Sequence, residues 1–331
     1  MVNHIFNTTT GRKETIDSLR AGPNKKVWEV ALSNKWGKLA QGNIYNVSYT
    51  DTIEFIPFTD VPSNRDVTFA SFVCDHMPLK AEPWRVRIVV GGDRLSYHED
   101  PGSPAASLLE TKILLNSVIS DAKRGARFMS LDLKDCFLAT PMNRPEYMKV
   151  PLQYFLADVQ DKYNIKHIVT TNNFIYIKIK KEMYGLKQAA VLAYNNLIKN
   201  LKADGYVPIE HTNSYWGHNK YPTVFCLCVD NFSIKYFNKN DLNHLISTLI
   251  KYYKIPTDYS GTNYCGLTME WNYSAGYVDM SMPGYVKKVL TKFQHKNPPT
   301  PQHSPHKWHR PQFGTRIQLT STPDTSSKLD K

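Results

Sequence analysis

The sequence is poor in cysteine, contains no long apolar run and has no paired zinc ligands. Its five cysteines, Cys74, Cys136, Cys226, Cys228 and Cys265, are scattered and odd in number, which argues against a disulfide framework. Cys226 and Cys228 would share one strand face, but no second Cys or His pair completes a zinc site. The thiols read instead as small buried hydrophobes in a reducing compartment. No apolar run approaches the roughly 18–20 residues that span a bilayer. The N-terminus lacks the apolar core of a signal peptide. Together these absences predict an intracellular chain with no membrane partner. Internal repeats are also missing.

What is present is positive charge. Lys and Arg number 41 against 29 Asp and Glu, a formal net charge of +12. A surplus of that size suggests a polyanionic partner, nucleic acid first and acidic membrane second, although it also suits a merely soluble basic protein. At 331 residues the chain is long enough for two or three structural units. Its hydrophobic and aromatic content argues against wholesale disorder.

Residues 1–23 are polar and weakly patterned. A helix is predicted from Asn24, as N-cap, to Gln41, and strands over Thr52–Phe58, Val67–Cys74 and Trp84–Val90. Ser103-Pro104 predicts a helix start, with an apolar face through Leu108, Leu109, Ile113, Leu115 and Val118. A strand over Arg127–Leu133 follows, then a helix over Gln188–Ala203. Two apolar runs around Asp230-Asn231 predict a β-hairpin. Leu242, Leu245, Ile246, Leu249, Ile250 and Tyr253 fit the helical period within a helix from about Asn240 to Tyr253, stopped by Pro256. A second hairpin joins Tyr264–Tyr273 to Tyr277–Met282, and Pro283–His295 reads as a short basic helix. From Lys296 on, the chain reads as a linker or disordered tail. The predicted class is α+β, with helices packed on an antiparallel sheet.

Three segments carry candidate chemistry. Asp132 lies between Leu131 and Leu133 in a strand bound for the core, where a carboxylate is costly unless paired or metal-bound. With Asp230 on a neighbouring strand it could hold divalent metal for in-line phosphoryl transfer. Each of the two also reads as an ordinary strand-end or turn carboxylate. Asp135 reads as a first-turn helix carboxylate and Phe137 as core. Tyr184-Gly185-Leu186-Lys187 precedes a helix, so Gly185 allows close backbone approach and Lys187 supplies charge. Arg85 and Arg87 alternate onto one strand face and could clamp a triphosphate or form a solvated basic face.

In combination these segments resemble the reverse transcriptase of copia-type LTR retrotransposons. Ser130-Leu131-Asp132-Leu133-Lys134-Asp135-Cys136-Phe137 is similar to the family's first carboxylate motif. Met183-Tyr184-Gly185-Leu186-Lys187-Gln188-Ala189 is similar to its Tyr-Gly-Leu-Lys-Gln-Ala signature. Cys228-Val229-Asp230-Asn231 stands where the family has x-Val-Asp-Asp, and Tyr264-Cys265-Gly266-Leu267 resembles the primer-grip hairpin. Arg85–Arg94 resembles the fingers strand that precedes them, and the five motifs agree in order and spacing between about Lys25 and His309. The resemblance implies a right-hand polymerase with fingers at 24–126, palm at 127–274 and a thumb-like start at 275–295. It implies two magnesium or manganese ions on Asp132 and Asp230. Phe137 would be the gate beneath the deoxyribose, and Tyr184 and Gly185 would line the nucleotide pocket. Asp135 would lie in the same pocket, and Lys187 near the template. Either Arg85 or Arg87 would meet the triphosphate, and Tyr264, Cys265, Gly266 and Leu267 would grip the primer. Implied partners are an RNA or DNA template, a primer and deoxynucleoside triphosphates, in a cytoplasmic virus-like particle or the nucleus.

One departure bears on activity. Asn231 replaces the second hairpin carboxylate, and Asn is a poorer ligand for a hard cation. The expectation is therefore impaired synthesis, or a catalytically inactive nucleic-acid-binding protein derived from a retrotransposon. With no protease or integrase segment in view and no ribonuclease H domain following, the chain reads as a truncated, degenerate copy.

Overall fold

A computed structural model describes residues 5–7, 9–77, 82–212 and 214–295. The tail predicted at 296–331 lies outside the described residues. The elements in chain order are α1 (Ile16–Ala21), α2 (Lys25–Leu39), β1 (Ile53–Ile56), β2 (Val67–His76), β3 (Trp84–Val90), α3 (Leu108–Ser120), β4 (Arg127–Asp132), α4 (Cys136–Ala139), β5 (Pro141–Pro151), α5 (Ala157–Lys162) and β6 (Phe174–Lys181). There follow α6 (Ala189–Ala203), β7 (Tyr206–Pro208), β8 (Tyr215–His218), β9 (Val224–Cys228), β10 (Asn231–Tyr236), α7 (Lys239–Ile250), β11 (Thr257–Asp258), β12 (Asn263–Tyr264), β13 (Leu267–Asn272), β14 (Tyr277–Ser281) and α8 (Tyr285–Phe293). The larger unit runs from Thr15 to Met282, and a smaller one joins Ile5–Glu14 to the segment from Pro283 on. The fold is α+β with predominantly antiparallel sheets. No helix among the described residues is long and apolar enough to cross a membrane.

The first sheet has the order β1-β6-β5-β2-β3, with only β2 and β5 parallel. Its core is aromatic: Trp36 of α2 is fully buried, stacks on Phe155 at 4.6 Å and donates its indole N–H to the Tyr154 carbonyl. Asn24 stands at the N-cap of α2 as expected, but its side chain makes no capping hydrogen bond.

The second sheet has the order β11-β4-β10-β9-β8-β7. Its middle strands are buried on both faces, which explains their continuous apolar runs. Helix α7 buries Leu242, Leu245, Ile246 and Leu249 of the predicted stripe, but Ile250 of that stripe is exposed and Tyr253, although buried, lies beyond the helix end. Helix α3 differs from expectation. It starts four residues later, because Ser107 and Glu110 form a capping box that Ser103-Pro104 cannot match. Of the predicted face Leu115 and Val118 are buried, together with Leu114, whereas Leu108, Leu109 and Ile113 are exposed.

The third sheet is the meander β12-β13-β14. It packs Tyr264 and Met269 against Phe128, Cys226 and the buried face of α3. In the smaller unit, Phe6 bridges Lys13, and α8 is amphipathic with no buried residue.

Candidate active site

The site begins at the β9–β10 turn. Asn231 pairs with Cys228, so the two loop residues are Val229 and Asp230 rather than the Asp-Asn pair that the sequence suggested. Val229 has φ +63. A β-branched residue in that region is strained, by roughly 1–2 kcal/mol, and such strain concentrates at functional sites. The turn sets Asp230 at the strand ends while Asn231 enters β10 opposite Asp132 of β4.

Asp132 is the last residue of β4 and is exposed, not drawn into the core as its neighbours implied. The strand is buried up to Leu131 and emerges at the carboxylate. The Leu133 N–H donates to the Asp230 carbonyl at 2.9 Å, which ties the two carboxylate-bearing segments together. Burial, and then the charge of Asp132, push the Asp230 carboxyl up to about 6. Asn231 opposes the shift by donating from Nδ2 to Asp230 Oδ1 at 2.9 Å. Two carboxylates whose charges repel form the donor set that a hard cation relieves. Among the described residues no group of three or more His, Cys, Asp or Glu side chains gathers around a cation position.

One wall of the site is aromatic. Phe137 is buried beside Tyr184, with ring centroids 5.0 Å apart and planes at 69°. Burial and the Asp230 charge push the Tyr184 hydroxyl up to about 12, so it stays protonated. The Tyr184-Gly185 turn is pinned to the end of β3, where the Val90 N–H donates to the Tyr184 carbonyl at 2.8 Å. Gly185 has φ +96, and a Cβ there would lie 2.1 Å from the Val90 carbonyl oxygen. A Cβ on Gly92 would come within 2.0 Å of the Gly185 oxygen, so both glycines are required by this close approach. Lys187 is exposed, and its ammonium donates to the Leu95 carbonyl at 3.0 Å.

The other wall is cationic. The Arg87 guanidinium lies 5.9 Å from the Tyr184 ring and pairs with buried Asp75 at 3.5 Å. Arg85 reaches the Met77 sulfur instead. Helix α2 adds two cations that the sequence reading missed. Lys38 pairs with Asp135 at 2.7 Å, and Lys35 lies among Lys38, Arg85, Arg87 and Asp135. Burial, then its cationic neighbours, push the Lys35 ammonium down to about 8. In sequence, Lys35 and Lys38 read as the wet side of an amphipathic helix, and no motif marks them. Asp135 is the N-cap of α4 at φ +58, but its side chain makes no capping hydrogen bond and the ion pair with Lys38 takes that place.

Tyr264, Cys265, Gly266 and Leu267 form the β12–β13 turn, with Tyr264 paired to Leu267 and positive φ at both Cys265 and Gly266. Two consecutive positive φ values describe a type I′ hairpin. The turn is anchored to the second sheet by the Ser130 hydroxyl, which donates to the Asn263 carbonyl at 2.6 Å, and by Tyr264 edge-on to Phe128 at 6.2 Å. Asp132, Asp230, Asn231, Asp135, Phe137, Tyr184, Arg85 and Arg87 thus converge from separate segments. Lys187 sits apart, held by its own loop contact.

No protein-family profile and no curated protein matches the sequence. Among solved structures, the chain aligns with apo telomerase from Candida tropicalis, truncated from its C-terminal domain, at a TM-score of 0.39 and 13% identity. The alignment covers 77% of this chain and 60% of that one, so the chain spans less than two thirds of that protein's length.

Proposed function

We propose that the chain is a reverse-transcriptase-like nucleotidyltransferase domain of copia-type retrotransposon descent, impaired at its metal site. The observation that carries this reading is the placement of two carboxylates, Asp132 and Asp230, at adjoining strand ends between an aromatic wall and a cationic wall. Asp132 and Asp230 would hold magnesium or manganese. When bound, such ions lower the pKa of an attacking hydroxyl and neutralise charge on the leaving phosphate. This chain's own residues supply the rest. Arg87 and Lys35 present positive charge to a triphosphate, and Arg87 is favoured over Arg85 because it faces Tyr184. Phe137 and Tyr184 bound the sugar, and the pinned Gly185 turn leaves room beside the base. The β12–β13 turn is suited to hold a primer strand beside Asp230.

Asn231 weakens this arrangement in two ways. It removes one negative charge, and its amide occupies an oxygen of Asp230. Primer extension on RNA and DNA templates with magnesium or manganese is the test. The chain as it stands is expected to synthesise weakly or not at all, and Asn231→Asp to raise the rate by roughly 10²–10³. A folded Asn231→Asp chain that extends no primer would falsify the polymerase reading.

The Asn231–Asp230 hydrogen bond also favours a second reading, a nucleic-acid-binding protein without turnover. Its sign is RNA–DNA hybrid binding unaccompanied by extension in either chain.

A further inference from the structure

The loop that joins α2 to β1 has a fixed base and an aromatic rim. Its base is Asn43, which is buried and uses both ends of its amide. Nδ2 donates to Ser33 Oγ at 3.2 Å and to Asn34 Oδ1 at 2.8 Å. Oδ1 accepts the Tyr45 N–H at 3.1 Å and the Val47 N–H at 3.5 Å. The chain returns through the Thr50 N–H, which donates to the Lys38 carbonyl at 2.8 Å, and the Thr52 N–H, which donates to the Leu39 carbonyl at 2.7 Å. A buried amide satisfied in this way holds one backbone path. Yet the loop leaves Tyr45 and Tyr49 at 51% and 56% exposure, and Ile44 is exposed as well. Aromatic rings that face water from a fixed loop mark a surface for recognition rather than for packing.

Cations frame the two tyrosines. The Lys162 ammonium and the Tyr49 ring lie 3.4 and 3.7 Å from one point, the position of a Cβ on Gly42, so the two adjoin. The Lys254 ammonium donates to Ser48 Oγ at 2.9 Å, and that of Lys181 to the Thr50 carbonyl at 2.5 Å. Asp51, the acidic residue of the loop, accepts from Lys180 at 2.8 Å. Exposed Tyr252 lies two residues before Lys254. The Lys254 carbonyl accepts the N–H of Lys134 at 3.0 Å, so this edge of the surface adjoins the segment that carries Asp132.

We propose that this loop binds single-stranded nucleic acid, with Tyr45 and Tyr49 as stacking platforms for bases and Lys162 and Lys254 as phosphate contacts. The chemistry selects the partner. Lysines that frame the loop call for a polyanion, in keeping with the +12 surplus. Exposed tyrosine faces call for flat apolar groups. A single strand offers both at once, whereas a duplex keeps its base faces within the stack. Binding at the loop requires no turnover at Asp132 and Asp230, so it stands or falls apart from the polymerase reading.

The test is fluorescence anisotropy of a labelled oligothymidylate on the full chain, with a blunt RNA–DNA hybrid as control. Tyr45→Ala and Tyr49→Ala together should weaken oligothymidylate binding by roughly 10²-fold, about tenfold for each base that loses its stack, and leave hybrid affinity unchanged. The chain with Tyr45→Phe and Tyr49→Phe keeps both ring faces and should bind as the parent does. Lys162→Met and Lys254→Met should each reduce the log–log salt slope by about 0.7. With iodouracil in the oligonucleotide, irradiation should attach it to the peptides that carry Tyr45 and Tyr49. Parent-like binding by the alanine chain, an equal loss on the hybrid, or adducts confined to other peptides overturns the proposal. So does a dimer of the parent chain in sedimentation that the alanine chain lacks, because the loop then serves a second copy. Should the alanine chain fail to fold, the phenylalanine chain and the adducts decide.

Discussion

Two carboxyl groups show how environment assigns the role of a residue type. Asp230 is raised to about 6 by burial and by Asp132, within a set of charges that a cation can satisfy. Glu182 is fully buried, its oxygens have no hydrogen-bond partner, and burial, then Glu146, push it up to about 8. It lies two residues before Tyr184. The Glu182 value in the folded chain exceeds the ordinary 4.5, so the folded state holds the proton more tightly than the unfolded state. Stability from this group is complete below 4.5 and is lost as pH rises towards about 8. The loss is at most about 1.4 kcal/mol per pH unit. Thermal unfolding across that window should show Tm falling with pH, with a flatter profile for Glu182→Gln. Parallel profiles for the two chains would reject the assignment.

At the scale of elements, the site depends on turns more than on strands. The Tyr184-Gly185 turn fits against β3 only because Gly185 has no side chain. Gly185→Ala should therefore shift the turn and weaken deoxynucleotide binding by about tenfold or more, as small misplacements at reacting centres do. Nucleotide titration by fluorescence would show it, and unchanged affinity would contradict the fit. Helix α3 provides a control away from the site. Ser107→Ala removes half of its capping box and should cost about 1 kcal/mol. For a unit of this size that is a fall in Tm of roughly 2–4 °C, measurable by calorimetry. Secondary structure was legible where one signal dominated. The stripe of α7 and the buried runs of β9 and β10 are examples. It was illegible where signals competed, as at α3, where two capping residues four positions apart each preceded apolar sequence.

For the whole molecule, charge is the readable property. The +12 surplus predicts hybrid binding governed by phosphate contacts. About six such contacts would lose roughly 10³ in affinity between about 50 and 200 mM salt. Filter binding over that range tests it, and salt-insensitive affinity would exclude this mode. Lys35 and Lys38 are placed to contribute to nucleotide rather than duplex affinity, because they face Arg87 and Asp135 inside the site. Lys35→Met should accordingly raise the nucleotide KM of the Asn231→Asp chain while hybrid affinity changes little.

The sequence by itself marked the candidate chemistry-bearing positions. Carboxylates at 132 and 230, aromatics at 137 and 184, and glycine at 185 all stand out locally, because each conflicts with the pattern around it or relieves it. Only the tertiary structure decided which of them meet. It moved the turn to Val229-Asp230, exposed Asp132 at the end of its strand and directed the Asn231 amide onto Asp230. It brought Lys35 and Lys38 into the site. These are contacts between segments far apart in the chain. They are fixed by sheet register and by packing between layers, and local composition carries no record of either.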